Sequence, residues 1–128
     1  MKAGRVANNI GEGRISYISR RDLALAAAHC LLDEGHDGKT WTLTGPEAVT
    51  QAQLAEWISR WTGESIPYAS LSDEEYRATF PDPHWAEVVV TLYQSARLGN
   101  AAAVTGDFER IVGRKAWSVP EVYERFHL

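Results

Sequence analysis

The chain has 128 residues, which is enough for one hydrophobic core but not for two. Its net charge is −4 and its 13 basic residues are scattered, so no basic stripe follows a phosphate backbone and nucleic acid is excluded as a partner. No apolar run is long enough to span a bilayer, and a single cysteine excludes an internal disulfide. These features predict a soluble, cytoplasmic protein with no membrane partner.

Residues 1–14 are predicted to be an irregular arm, and residues 15–128 a single domain. The arm contains three glycines and no hydrophobic periodicity. A turn at Gly11–Gly13 leads into a first strand, because residues 14–18 alternate polar and apolar side chains. The glycine pair therefore precedes a strand rather than following one.

The first helix is predicted to begin at Arg20 and to end at a cap on Gly35. Ser19 and Asp22 resemble a capping box, and residues 23–32 are apolar almost all round, which predicts burial on most of the helix surface. Asp22 could act as a general acid or base. Its place in the first turn is better interpreted as complementing the helix dipole.

Two further strands with a helix between them follow, and this strand–helix–strand unit is about thirty residues long. Residues 39–44 and 66–70 are rich in β-branched and aromatic side chains, and the helix between them begins at a Thr50–Gln53 capping box and ends at Gly63. This spacing is that of a right-handed βαβ unit, so the two strands are predicted to be parallel neighbours.

The rest of the chain is predicted to be helical. Capping signals occur at Ser72, Asp82 and Ser118, and a short helical turn is expected over residues 107–112. The predicted fold class is therefore α/β, with a small parallel sheet of about three short strands and about five helices.

A metal site is not predicted. His29 and Cys30 are adjacent on a helix and point about 100° apart, and neither has a partner at metal-ligand spacing. His29 is interpreted as a hydrogen-bonded residue in or near the core.

A small-molecule site is predicted near His84, Trp85 and Tyr93, with Tyr76 close by. The segment 81–83 breaks the chain between two helices and leaves a rigid opening beside aromatic side chains, which suits a planar ligand. The alternative is that Trp85 and Tyr93 are core residues at helical spacing.

Several segments resemble one family in their order and spacing. They are residues 17–24 (YISRRDLA), 43–47 (LTGPE), 74–77 (EEYR), 105–107 (TGD) and 113–114 (GR). Together they resemble the C-terminal part of NmrA-like proteins, atypical short-chain dehydrogenase/reductase relatives that include NAD(P)H-dependent quinone oxidoreductases. The resemblance implies a substrate-side lobe plus the last strands of a Rossmann sheet, with helices around residues 84–93 covering the substrate cleft.

The nucleotide-binding half of that family has no counterpart in the sequence, so no cofactor is predicted. Three functions stay open. One is a free-standing lobe that binds a small aromatic or quinone-like molecule without nicotinamide, with a non-redox proton-transfer or cyclisation step. Another is a truncated or split part of an NAD(P)H-dependent quinone-type oxidoreductase, and the third is a non-catalytic regulatory interaction module. Met1 directly before the lobe favours an independent protein. A homodimer is expected to cover the surface left by the other half, with residues 1–14 reaching across.

Overall fold

The computed structural model describes residues 4–126. Over that range the elements are β1 (Val6–Asn8), β2 (Arg14–Ile15), α1 (Arg20–Leu32), β3 (Val49–Thr50), α2 (Gln51–Thr62), β4 (Tyr68–Ser70), α3 (Asp73–Arg77), α4 (Pro83–Arg97), α5 (Asp107–Val112) and α6 (Val119–Phe126). They fall into two compact units, one of residues 4–15 and 49–102 and the other of residues 16–48 and 103–126. The predicted α/β class is confirmed.

The first unit contains two small sheets. β1 is parallel to β4, with Val6 opposite Tyr68, and β2 is antiparallel to β3, with Arg14 opposite Thr50. The prediction that residues 1–14 are irregular is therefore wrong for β1. Three residues are too few to show a period of two in the sequence, and only the partner strand reveals them as a strand.

The predicted strand at residues 39–44 does not form among the described residues, and its parallel pairing with residues 66–70 is wrong. In the second unit, the backbone groups of Thr42 bond to side chains instead of to a neighbouring strand. The N–H of Thr42 donates to the Asp107 carboxylate at 2.9 Å, and the Thr105 hydroxyl donates to the Thr42 carbonyl. A strand needs a neighbouring ladder, and these residues bond to a loop and a helix terminus instead.

The caps predicted for α2, α3 and α4 are confirmed. Thr50 and Ser72 form complete capping boxes with Gln53 and Glu75, and Asp82 accepts from the first turn of α4. Cap recognition succeeds here because a capping box is a contact between residues only three positions apart.

Helix α1 begins at Arg20 as predicted but ends at Leu32, before Gly35. The prediction that it is buried on most of its surface is wrong. Only Asp22 and Ala26 are buried, whereas Leu31 and Leu32 are 85% and 82% exposed. The reason is that the second unit covers only one narrow side of α1, where Ala26 packs in a core with Phe108, Ile111 and Ala116.

Asp22 is fully buried, and it does more than complement the helix dipole. Its carboxylate accepts from Arg114 Nη2 at 2.6 Å and from the backbone N–H of Trp117 at 2.9 Å. The Arg114 guanidinium also lies 4.2 Å from the centre of the Trp117 ring. The first turn of α1 thereby fixes the segment that leads into α6.

The first unit has a polar network beside its apolar core. Asn8 donates to the Gln51 side chain at 3.1 Å and accepts from the Tyr68 hydroxyl at 3.0 Å, with Asn8 and Gln51 both buried. Partnered in this way, the buried amides are satisfied rather than costly. No helix within residues 4–126 has the length and apolar character needed to cross a membrane.

Candidate functional site

An aromatic cluster lies where α3 and α4 meet in the first unit. The rings of Tyr76 and Tyr93 are stacked, with centroids 5.6 Å apart and planes 11° from parallel, and the Phe80 ring meets Tyr76 edge-on at 5.2 Å. An ion pair between Arg77 and Glu87, 2.9 Å apart, joins the same two helices. We call Tyr76 and Tyr93 the tyrosine pair.

Tyr76 is held in its neutral form by its surroundings. Burial of the ring, the neighbouring Tyr93 charge and the hydrogen bond with Tyr93 raise the pKa of Tyr76 to about 12. The phenol of Tyr76 therefore keeps its proton even in alkaline solution, with the Tyr93 side chain as its hydrogen-bond partner.

His84 and Trp85 lie in the first turn of α4, and both are exposed. Their backbone N–H groups donate to the Asp82 carboxylate at 2.9 and 3.3 Å. The Trp85 side chain is 56% exposed, and among residues 4–126 no ring contact ties it or His84 to the tyrosine pair. The structure thus brings together Tyr76 and Tyr93 of the four predicted residues, and not the other two.

The alternative that Trp85 faces the core is wrong. The buried residues of α4 are Ala86, Val90 and Ala96, whose small side chains allow close packing. Trp85, Val88 and Leu92 are exposed instead, and their spacing of three and four places them on one face of the helix. Helical spacing and side-chain size thus did not identify which side of α4 is buried.

A charged cluster that the sequence did not suggest joins the start of α3 to the C-terminal part of α4. Asp73, in the first turn of α3, accepts from Asn9 at 2.8 Å, from Gln94 at 2.7 Å and from Arg97 at 3.1 and 3.2 Å. The hydrogen bond from Arg97, followed by those from Asn9 and Gln94, holds the pKa of Asp73 far below its usual range. Its partners are up to 64 positions away, so no local pattern marks them.

Two concave regions are lined by other residues. One, of about 350 Å³ in the first unit, is bordered by Ala52, Ala55 and Ser59 of α2 and by Pro67 and Tyr68. The other, of about 300 Å³ in the second unit, is bordered by loops around Thr44 and Gly106. None of the four predicted site residues lines either region.

The glycine turn does not fit a dinucleotide. The turn that contains Gly11 and Gly13 follows the strand β1, which the sequence pattern did not predict. The element after the turn is the strand β2, whereas a dinucleotide-binding turn leads into a helix. A Cβ on Gly13 would lie 2.8 Å from the Ala96 carbonyl oxygen, and the Gly11 N–H already donates to the Tyr68 hydroxyl at 3.0 Å. The backbone of the turn is thus packed and bonded, and leaves no cradle for a pyrophosphate.

Residues 4–126 contain no group of three or more His, Cys, Asp or Glu side chains placed to hold a metal ion. His29 lies at the surface of α1, where its Nδ1 atom is 2.7 Å from the Asp33 carboxylate. It is hydrogen-bonded as expected but lies outside the core.

Comparisons with known proteins connect the chain to reductases. No family model matches the sequence. The NAD(P)H azoreductase of Xenophilus azovorans is 28% identical over 116 residues, which are 88% of this chain and 41% of that protein. Quinone oxidoreductase 2 of Escherichia coli is 37% identical over 68 residues, 53% of this chain and 24% of that protein. An NmrA-like family domain-containing oxidoreductase of Aspergillus flavus, flvB, is 26% identical over 110 residues, 80% and 36% of the two chains.

Among solved structures, the triphenylmethane reductase of Citrobacter sp. complexed with NADP(H) superposes with a TM-score of 0.85 at 27% identity, over 95% of this chain and 44% of that one. The chain therefore spans less than half the length of each of these proteins. The predicted resemblance to part of the NmrA-like and quinone oxidoreductase type proteins is confirmed.

Proposed function

We propose that this chain is the substrate-side lobe of an NmrA-like reductase and that it binds a planar aromatic or quinone-like molecule. The observation that carries the proposal is its similarity, over most of its length, to proteins named for reducing azo compounds and triphenylmethane dyes. The shorter match to a quinone oxidoreductase supports the same ligand class.

The tyrosine pair is the best-supported place for such a ligand. Stacked aromatic rings offer a flat apolar surface, and the two phenol groups at its edge offer polar partners for a ligand oxygen. His84 and Trp85 are proposed to close over the ligand from the first turn of α4, since both side chains are exposed and free of ring contacts within residues 4–126.

A fluorescence titration tests the proposal. Adding 1,4-naphthoquinone or a triphenylmethane dye is expected to change the tryptophan emission saturably, with Trp85 as the reporter. Trp85→Ala should remove most of that change, and Tyr93→Leu should weaken binding about fivefold, since each ring–ring contact is worth about 1 kcal/mol beyond its buried area.

Trp41→Phe is the matched control because Trp41 belongs to the second unit, and it should leave the titration unchanged. Circular dichroism shows whether each variant is folded. A change in emission that persists in a folded Trp85→Ala, or identical affinities in folded Tyr93→Leu and the unchanged chain, would contradict the site.

The isolated chain is expected not to bind NADP(H) or NAD(H), because Gly13 packs on α4 and the Gly11 N–H is taken by Tyr68. Calorimetric titration with each nucleotide measures this. A saturable micromolar isotherm would overturn the expectation and favour the complete reductase reaction in this chain.

The lobe is also proposed to form a homodimer. Apolar side chains are exposed on α1, at Leu31 and Leu32, and on α4, at Trp85, Val88 and Leu92. Covering one fully exposed leucine is worth about 2 kcal/mol, so a second copy is a favourable cover. Residues 6–8 of the expected arm are part of the β1–β4 sheet within one chain, so they do not reach across.

A further inference from the structure

A cavity in the second unit has no role in the function proposed above. It measures about 300 Å³, at the small end of the roughly 300–1,000 Å³ typical of small-molecule sites. We propose that it binds a small zwitterion with an apolar body, the chemistry of a free amino acid with an aromatic or branched side chain.

The floor of the cavity is apolar and well packed. Phe108 and Ala116 line it and are buried at 1% and 6% exposure, and both belong to the core of the second unit. Val104 lines it as well and is exposed, so the apolar wall continues to the protein surface. Such a surface suits an apolar side chain of the ligand.

The two loops that frame the cavity are held rigidly. The Thr44 hydroxyl accepts from the Thr105 N–H at 3.0 Å and donates to the Gly45 carbonyl at 3.0 Å. Gly45 lies so close to Tyr17 that a Cβ would be 1.8 Å from the Tyr17 carbonyl oxygen. The frame therefore exists before a ligand arrives, which lowers the entropic cost of binding.

The charged lining consists of one acid and one base. Glu109 and Lys115 both line the cavity and are exposed, and neither side chain takes part in an ion pair among residues 4–126. Their charged neighbours are already paired, Arg110 with Asp107 and Arg114 with Asp22. A ligand carboxylate at Lys115 and a ligand ammonium at Glu109 would satisfy both free charges, whereas a purely anionic or cationic ligand would meet one repulsive partner.

Calorimetry and ligand-observed NMR with L-phenylalanine test the proposal on the full chain. We expect saturable binding, with about tenfold weaker binding of N-acetyl-L-phenylalanine, which lacks the ammonium, and of L-phenylalaninamide, which lacks the carboxylate. Absence of L-phenylalanine binding at millimolar concentration would overturn the proposal, as would equal binding of the three compounds.

Three variants locate the binding. Lys115→Met should weaken it about tenfold through loss of the carboxylate contact, whereas Lys39→Met, which removes a lysine that does not line the cavity, should leave it unchanged. Gly106→Phe should abolish binding, because Gly106 lines the cavity and a phenyl ring there would take the space of the ligand. The fold should tolerate this change, since a Cβ at Gly106 meets nothing within 4 Å. L-Phenylalanine bound with equal affinity by the Lys115→Met chain would place it elsewhere and refute the site, and this variant changes only an exposed side chain.

Discussion

At the scale of single residues, Asp22 illustrates how burial changes the role of an acid. Asp22 sits in the first turn of α1, where a carboxylate normally faces water beside the helix dipole. Here it is fully enclosed and holds Arg114 and the Trp117 N–H. Breaking a buried charge pair leaves an unpaired partner and is therefore far costlier than losing a surface charge.

We expect Asp22→Asn to lower the free energy of unfolding by about 3 kcal/mol, because the amide cannot satisfy both the guanidinium and the Trp117 N–H. Urea denaturation followed by circular dichroism measures the change. Asp33→Asn is the control: Asp33 forms an exposed pair with His29 and should cost at most about 0.5 kcal/mol. Equal stability losses in the two variants would contradict the buried role of Asp22.

The lowered pKa of Asp73 predicts that the stability of the folded chain falls at acidic pH. Its pKa is lower in the folded chain than in the unfolded chain, chiefly through the Arg97 hydrogen bond. The stabilisation it provides is therefore complete above the unfolded pKa of about 4 and is lost as the pH falls through the lower folded pKa.

Asp73→Asn should consequently lower the melting temperature at pH 7, and the gap from the unchanged chain should narrow as the pH is taken from 5 to about 2. Thermal melts across that range give the result. Glu12→Gln, at an exposed position of the same unit without a side-chain partner among residues 4–126, should melt like the unchanged chain throughout. A gap that stays constant with pH would show that Asp73 acts by shape and not by charge.

At the scale of elements, the contact between the glycine turn and α4 decides how closely β2 approaches that helix. Gly13 is buried, and a Cβ there would lie 2.8 Å from both the Ala96 carbonyl oxygen and the Arg97 Cα. These are backbone atoms at the end of a helix, so they cannot turn aside as a flexible side chain could. The sequence shows a glycine at this position, but only the neighbour 83 positions away explains it.

Gly13→Ala is expected to destabilise the chain by about 2 kcal/mol, because the extra methyl forces β2 and α4 apart. Chemical denaturation measures the change. Gly4→Ala is its control, since a Cβ at Gly4 meets nothing within 4 Å and should cost little. A Gly13→Ala chain as stable as the control would show that the turn can shift without cost.

At the scale of the whole molecule, each unit contains one helix whose large apolar side chains are exposed and whose buried residues are mostly small. In the second unit this is α1 with Leu31 and Leu32, and in the first unit it is α4 with Trp85 and Leu92. Exposed apolar side chains that lie close together, such as the adjacent Leu31 and Leu32, favour contact with another chain. These exposed side chains are the reason for the proposed homodimer, and substituting them provides a test of it.

Light scattering behind a sizing column should give twice the chain mass at micromolar concentration. The double variant Leu31→Glu and Leu32→Glu should shift it to one chain mass, because two charges would have to be buried in the interface. Lys39→Glu, a comparable charge change on an exposed polar residue, should leave the dimer intact. A monomeric unchanged chain would refute the proposal, and a dimer that survives the double variant would exclude α1 from the interface.

The sequence by itself determined the α/β class, the starts of α1 to α4 and the resemblance to NmrA-like proteins. These depend on contacts three or four residues apart, such as the Thr50 capping box, or on the order of short motifs. Only the tertiary structure decided that residues 6–8 are a strand, that residues 39–44 are not, and which side of α4 is buried. It alone placed Asn9 and Arg97 on Asp73, and Arg114 on Asp22. Each of these depends on a partner more than twenty residues away, and neither propensity nor periodicity encodes which distant residue supplies it.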